Sequence, residues 1–172
     1  MPFGQVRGVL VDDPGAVVTD EDVEQPAEPG DGRHLRSALR VELGATAFRQ
    51  AVDVELGQPR VTDADVVLPL RWRASGRDRL FPVFEGRLEA IPTTDGLGTV
   101  LSVTGVYTVP LGPVGRFGDG LIGRRFARQS LTAFLEDTAR RIDRGVHRRT
   151  TSGSWHPAPY RVAVREAGTR GD

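Results

Sequence analysis

A change in hydrophobic period divides this sequence into two parts and limits the folds open to it. From Leu39 to Tyr107, apolar and polar residues alternate in five short segments, which is typical of half-buried strands. From Pro113 to about residue 144, apolar residues recur every three or four positions, which is typical of one face of a helix. The chain therefore combines several strands with one long helix that follows them.

Short turns join the five alternating segments, and links of this length connect antiparallel neighbours. Pro69 falls on the outward face of the third segment, which predicts an edge position or a bulge there. The inward faces of the five segments are Leu39, Val41 and Leu43; Phe48, Val52, Val54 and Leu56; Val66, Leu68, Leu70, Trp72 and Ala74; Phe84, Leu88 and Ala90; and Leu101, Val103 and Tyr107.

The helical segment carries its apolar stripe over about 30 residues, or ~45 Å of helix. Pro113 suits the first position of a helix, and Gly145 predicts its end. We predict an α+β fold: a single domain in which a curved antiparallel β-sheet wraps around a long C-terminal helix. The stripe consists of Val114, Phe117, Leu121, Ala127, Leu131, Phe134, Leu135, Thr138 and Ile142.

Charge and chain-breaking residues predict flexible segments at both ends. Residues 1–35 hold eight acidic residues and two arginines, a net charge of −6, and much of this stretch contains almost nothing apolar. We predict an acidic flexible leader over residues 1–35, a folded domain over 36–144, and a flexible tail over 145–172. Three short apolar segments in these regions are candidates for added strands: 6–10, 16–18 and 160–164.

Missing residue types exclude much catalytic chemistry. The chain contains no Cys, Lys or Asn, so it has no disulfide, thiol nucleophile, zinc–thiolate site, lysine Schiff base or N-glycosylation acceptor. Every basic residue is Arg, which resembles the codon bias of a GC-rich genome rather than a phosphate-binding device. The 23 basic and 23 acidic residues balance, and we therefore expect no nucleic-acid partner.

Membrane and targeting signals are not predicted either. No apolar run approaches the ~18–20 residues that span a bilayer, so we expect no membrane insertion. The N-terminal residues do not form the apolar stretch of a signal peptide, and a cytoplasmic protein is the expectation.

Two motifs were weighed as binding sites. Gly118–Gly123 matches G-x-G-x-x-G, but a dinucleotide site needs a parallel strand after the helix, and only a tail is expected there. His34, His147 and His156 lie in the predicted leader and tail without the spacing of metal ligands, so no metal or other cofactor is assigned.

Four acidic residues were considered as a catalytic pair. They alternate with apolar residues and so belong to the outward face, where pairing with arginines of neighbouring strands is expected. One of them lining a cavity as a general base is the alternative. The acidic residues are Asp53, Glu55, Glu85 and Glu89, and the arginines are Arg71, Arg73 and Arg87.

Aromatic residues are the candidates for an apolar binding site. Such a site needs aromatic walls and a few polar anchors, and Tyr107 supplies a hydroxyl. Simple core packing is the alternative for each residue. Tyr107 is the leading candidate, because a buried phenol requires a hydrogen-bond partner. The five candidates are Trp72, Phe84, Tyr107, Phe126 and Phe134.

Four runs of sequence precede the predicted helix: LPLRWRASG (68–76), LFPVFEGRLE (80–89), GVY (105–107) and PLG (110–112). Together they resemble actinobacterial proteins of the START-like superfamily, also called SRPBCC or polyketide-cyclase-like proteins, which have the Bet v 1 helix-grip fold. The resemblance covers about residues 36–144, as a START-like helix-grip domain, and consists of packing and turn motifs. It implies an apolar cavity between sheet and helix that binds lipids, sterols, polyketides or other apolar molecules; some members are aromatase/cyclases.

One departure from that family concerns the closure of the cavity. The family places two short helices between its first and second strands, whereas Leu43 and Phe48 are separated by only four residues. Either the first strand lies in the leader, or the cavity is open, or another chain closes it.

From the sequence we expect a non-catalytic protein that binds a small apolar molecule. One alternative is a polyketide cyclase or dehydratase in which Tyr107 or an acidic residue moves protons. Another is a protein-interaction module that forms a homodimer through an exposed sheet edge.

Overall fold

The computed structural model describes residues 1–18, 33–43, 46–75, 83–108, 120–149 and 161–166. These residues form one α+β domain, which confirms the predicted fold class. In chain order the elements are α1 (Phe3–Asp12), a 3₁₀ helix (Pro14–Val17), β1 (Arg33–Leu43), β2 (Thr46–Leu56), β3 (Arg60–Val61), β4 (Val66–Ala74), β5 (Val83–Pro92), β6 (Thr99–Thr108), α2 (Gly120–Arg149) and β7 (Arg161–Glu166).

The strands form one open sheet in the order β1-β2-β4-β5-β6-β7, and β3 pairs with the first part of β4. The five predicted strands are β1, β2, β4, β5 and β6, and each pairs antiparallel with its neighbour as expected. The helix α2 contacts both edge strands, β1 and β7. A flat sheet could not bring both its edges to one helix, so the sheet is curved around α2.

The C-terminal strand β7 is parallel to β6, because α2 returns the chain along the sheet before β7 begins. It falls within residues 145–172, which were predicted to be flexible, and corresponds to the candidate strand at 160–164. The prediction of a flexible tail is therefore wrong for 161–166.

Direct pairing of the strands places five inward-facing side chains in one row across the concave face. Leu35 lies opposite Val54, Val54 opposite Trp72, Trp72 opposite Phe84, and Phe84 opposite Tyr107. All five are buried. The period-two pattern therefore identified the inner face, since a slip of one residue would have turned this row outward.

The apolar stripe of α2 lies on this concave face. Leu131 and Phe134 are 2% and 4% exposed. The predicted end at Gly145 is wrong: the helix continues to Arg149, and Gly145 faces Val9 of α1. Pro113, the predicted start, lies outside the described residues. Neither helix among the described residues has both the length and the apolar composition needed to cross a membrane.

The N-terminal residues 1–18, here called the N-terminal cover, differ most from the sequence prediction. They form α1 and the 3₁₀ helix, and they bury Val6, Val9, Leu10 and Val17 in the core. The prediction of a flexible leader, and of strands at 6–10 and 16–18, is wrong for this part. Most of the acidic residues of 1–35 belong to 19–32, which lies outside the described residues. Because the charge was taken over the whole of 1–35, the helical spacing of Val6, Val9 and Leu10 did not enter the prediction.

Three buried or half-buried hydroxyls hold the N-terminal cover in place. Each donates a hydrogen bond to a backbone carbonyl of the cover, including carbonyls at the end of the 3₁₀ helix that have no partner within it. Helical cover of the concave face thus comes from before β1 rather than from between β1 and β2. The bonds run from Thr99 Oγ1 to the Met1 carbonyl (2.9 Å), from Ser37 Oγ to that of Val18 (2.8 Å) and from Thr138 Oγ1 to that of Val17 (3.1 Å).

Pro69 lies where the neighbour of β4 changes from β2 to β3. The ladder with β2 ends at Leu70, and the ladder with β3 begins at Val67. Between them, the Gly57 N–H donates to the Pro69 carbonyl at 2.9 Å. The missing proline N–H therefore falls in an interruption of the ladder, which agrees with the predicted bulge.

Two glycines allow β5, β6 and the Phe84 ring to come together. Gly86 and Gly105 are paired directly across the two strands. A Cβ atom at Gly105 would lie 2.4 Å from the Glu85 carbonyl oxygen and 2.5 Å from Cζ of Phe84. Because one of these atoms belongs to the backbone, a side chain at this position would displace the strand as well as the ring.

Replacement of Leu10 tests whether the N-terminal cover belongs to the core. Leu10→Ala should lower the free energy of unfolding by about 2–5 kcal/mol, because Leu10 is fully buried in α1. The matched control is Val11→Ala, a neighbour that is 41% exposed, for which a change within about 0.5 kcal/mol is expected. Urea unfolding measures both, and equal stability of the two variants would contradict the packing described here.

Replacement of Gly105 tests the close approach of β5 and β6. Gly105→Ala should lower stability by about 1–3 kcal/mol through overpacking and weaken the near-ultraviolet circular dichroism of the aromatic side chains. Gly4→Ala in α1 is the control: no atom lies within 4 Å of its added Cβ, so a gain of about 0.5–1 kcal/mol is expected. A Gly105→Ala variant as stable as the wild type would exclude the close approach.

Candidate functional site

Four of the five predicted aromatic residues form one cluster on the concave face. Trp72 stacks on Phe84 with ring centroids 4.1 Å apart and planes at 22°, and it meets the ring of Phe134 at 5.1 Å. Tyr107 lies 5.0 Å from Phe84 and presents an edge-on geometry to Trp72 at 6.1 Å. The side chain of Phe126, the fifth candidate, lies outside the described residues.

The cluster is assembled by three strands and one helix. Trp72 stands near the end of β4, Phe84 at the start of β5 and Tyr107 near the end of β6, so strand pairing alone sets them side by side. Phe134 reaches the same place from α2. The cover is bonded to Thr99, the first residue of β6, so the aromatic cluster lies toward the other end of the concave face.

Three polar atoms are buried inside this aromatic cluster. They are Nε1 of Trp72, the phenol oxygen of Tyr107 and Oγ of Ser130, and none of them has a hydrogen-bond partner among the described residues. The Ser130 hydroxyl and the Trp72 N–H lie beside the phenol without making a bond of acceptable geometry. Each unpartnered group costs about 1–3 kcal/mol of desolvation. We call these three side chains the polar triad.

Other buried hydroxyls of the described residues are paired, although Oε1 of Gln5 in α1 is a further buried polar atom without a partner among these residues. Thr99 and Thr138 are as deeply buried as Ser130, and each donates to a backbone carbonyl of the N-terminal cover. The concave face therefore has one end at which buried hydroxyls are paired and one end at which they are not.

Sequence reasoning missed Ser130. The residue lies four positions before Phe134 and three after Ala127, so it occupies a place on the apolar stripe of α2. The available signal was a second hydroxyl residue, besides Thr138, at a position of a mostly apolar stripe.

Burial raises the pKa of the Tyr107 phenol above its ordinary value, because the phenolate would be a charge without water around it. The polar Ser130 hydroxyl and Trp72 N–H beside the phenol lower its pKa, and theirs is the smaller effect. The phenol is therefore neutral at physiological pH. It can donate or accept a hydrogen bond, as can the Ser130 hydroxyl, whereas the Trp72 N–H can only donate.

The acidic residues weighed as catalytic groups lie on the convex face. Glu85 pairs with Arg71 across the strands at 3.1 Å, and Asp53 lies 3.9 Å from Arg73. The predicted cross-strand pairing is confirmed for these two. Because these side chains are well exposed, each pair contributes only about 0–1 kcal/mol. Ion pairs thus occupy one face of the sheet and the polar triad the other.

The described residues hold no group of three or more His, Cys, Asp and Glu side chains placed to bind a metal ion. His34 and His147 are exposed, and His156 is outside the described residues. The expectation that only a tail follows the glycine motif and its helix is wrong, because the strand β7, parallel to β6, follows α2. Gly118 and Asp119 lie outside the described residues, and we assign no site there.

Titration of Tyr107 offers a direct test of its burial. The folded state holds the phenol proton to higher pH than the unfolded state, whose pKa is near the ordinary 10.0. The stability that this group contributes is therefore complete below pH 10 and is lost as the pH rises further. The wild type should lose stability above pH 10 more steeply than Tyr107→Phe, as measured by urea unfolding. Parallel curves would show that Tyr107 is accessible to water.

No protein-family model matches this chain, and no curated protein or solved structure matches it either. The resemblance to START-like proteins therefore stays a prediction.

Proposed function

We propose that this protein binds a small, largely apolar molecule between the concave face of its sheet and α2, and that it does not transform it. The polar triad carries the proposal. Three buried polar atoms that have no partner among the described residues, surrounded by four aromatic rings, are what a mainly apolar molecule with one polar group would complete.

The energetic argument begins with the cost of the triad. A buried polar group without a partner costs about 1–3 kcal/mol, which is a substantial fraction of the 5–15 kcal/mol by which a typical domain is stable. Phenylalanine at 107 and alanine at 130 would remove two of these costs without emptying the core. A chain that keeps polar groups where stability favours apolar ones has the pattern expected of a functional site.

The chemical character of the triad favours binding over catalysis. A phenol with a raised pKa holds its proton, so Tyr107 serves as a hydrogen-bond partner and not as a base. The carboxylates of Glu85 and Asp53 are held by arginines on the convex face, away from the aromatic rings. Stacking and hydrogen bonding recognise a molecule, and neither breaks a bond in it.

We also propose, on the grounds of architecture, that the chain is a START-like protein. An antiparallel series of strands followed by a long helix on the concave face supports this. Two features distinguish it from the expected form: the helical cover precedes β1, and β7 adds a parallel edge strand. The proposed small-molecule site agrees with the function that the resemblance implies.

A pair of helix variants separates a functional hydroxyl from a structural one. Ser130→Ala should raise the free energy of unfolding of the ligand-free protein by about 1 kcal/mol, because it removes an unpartnered buried hydroxyl and improves helix propensity. Thr138→Val, two turns further along α2, should lower it by about 1–3 kcal/mol, because the Val17 carbonyl loses its donor. Urea unfolding measures both. A loss of stability in both variants would mean that Ser130 is structural.

Native mass spectrometry of freshly purified protein tests binding itself. The wild type should retain a small molecule that is released by unfolding, and Thr138→Val should retain it as well. The Tyr107→Phe, Ser130→Ala double variant should retain less, because it lacks both hydroxyls of the triad. Equal retention by the wild type and the double variant would place the molecule elsewhere, and a wild type that binds nothing, purified or added, would exclude the proposed function.

A further inference from the structure

We infer that the N-terminal cover is a lid: it opens as a unit while the sheet and α2 stay folded, and its opening admits an apolar molecule to the concave face. The opening is a property of the fold alone, whereas the admission of a molecule rests on the proposed function. At the other end of that face, the four rings of the aromatic cluster are at most 8% exposed among the described residues, so a molecule needs another entry.

Side chains attach the cover to the domain, and no backbone ladder does. Residues 1–18 contribute no strand to the sheet. Hydrogen bonds from the hydroxyls of Thr99, Ser37 and Thr138 hold the cover, together with apolar contacts to α2, β4 and β5. The strands, in contrast, are joined residue by residue along their length. The cover can therefore leave without breaking any pairing between strands.

The helix α1 depends on its packing, because its sequence has little helical tendency. Its ten residues include two glycines and three valines, which are weaker helix formers than alanine or leucine. Pro2 precedes it without a side-chain cap, and its end turns carry no charge that favours a helix. An isolated helix of this length is marginal in water even with a favourable sequence. The cover therefore loses its helix on release, and the conformational entropy that it regains favours opening.

The connection to β1 is long enough for the cover to leave the concave face. The cover ends at Val18, whose carbonyl accepts the bond from Ser37. Ser37 lies about 13 Å along β1 from Arg33, the first residue of that strand. Residues 19–32, which lie outside the described residues, can span about 50 Å at full extension. The length of the connection therefore does not prevent opening.

Opening uncovers an apolar part of the concave face. The strands β4 and β5, which α1 contacts, contribute Leu68, Leu88 and Ala90 at this end of the face, and all three are completely buried. Leu68, Leu70 and Trp72 occupy successive inward positions of β4 and are buried together. The uncovered surface therefore continues to the aromatic cluster.

A disulfide between the cover and α2 would lock the lid. The chain contains no cysteine, so Val9→Cys with Gly145→Cys introduces a single possible disulfide. A Cβ atom at Gly145 would lie 3.6 and 3.7 Å from the two Cγ atoms of Val9, which is close enough for the bond to form. The reduced variant is one control. Val11→Cys with Gly145→Cys is the matched control, because Val11 is 41% exposed and does not face α2.

Native-state hydrogen exchange measures the opening without any ligand. In the wild type, the amides of α1 should have protection factors roughly tenfold or more below those of β5, and they should depend less on urea, as in an opening smaller than global unfolding. The oxidised lock should raise the protection of α1 to that of β5, and the matched control should not. Equal protection and equal urea dependence of α1 and β5 in the wild type would overturn the lid.

Stopped-flow binding of N-phenyl-1-naphthylamine, a neutral fluorescent probe, tests the entry route. The oxidised lock should take up and release the probe about tenfold more slowly than the reduced form, because entry then requires a closed lid to open. Thr99→Val should release it about fivefold faster than the wild type, because the closed lid loses one hydrogen bond.

The outcomes separate the lid, the entry route and the proposed function. Equal rates in the oxidised and reduced forms, with the probe bound by both, would overturn the entry route while small-molecule binding stands. A probe that binds neither form would also overturn it, and retention of a molecule by the purified protein then decides the proposed function. Hydrogen exchange decides the lid in every case.

Discussion

The packing of α2 into the curved sheet is the constraint on which the rest of the structure depends. Leu131 and Phe134 are buried on the concave face, and the helix contacts both edge strands of the sheet. Burial of a side chain of this size contributes about 1.5–3 kcal/mol. The N-terminal cover shields part of the inner apolar row and packs against α2 as well, so the curvature of the sheet and the location of the aromatic cluster both follow from the contact between α2 and the sheet.

Local periodicity was sufficient to predict the strands, the helix and most of the aromatic cluster, because each depends on neighbours in sequence. Trp72, Phe84 and Tyr107 stand on inward positions of their own strands, and antiparallel pairing then places them side by side. The parallel β7 could not be predicted in this way, since its partner lies across a whole helix. Ser130 could not either, because its significance depends on two side chains from other elements.

The N-terminal cover shows how averaging over a segment hides structure. The acidic residues of 1–35 are concentrated after residue 18, whereas Val6, Val9 and Leu10 have the spacing of a helix that packs on one face. A prediction made over ten residues at a time would have distinguished the helical spacing of the first residues from the acidic stretch that follows them. The hydroxyls that receive the cover, on Thr99 and Thr138, come from far along the chain, and no local pattern indicates them.

The two ends of the concave face differ in the hydrogen bonding of their buried hydroxyls. At one end, buried hydroxyls are paired with carbonyls of the cover, so polar burial stabilises the fold. At the other end, the hydroxyls of Tyr107 and Ser130 and the N–H of Trp72 are buried among rings and have no hydrogen-bond partner among the described residues. The paired hydroxyls hold the N-terminal cover on the sheet, whereas the unpaired groups make no such contribution. This difference between the two ends is what the proposed binding of a small molecule would explain.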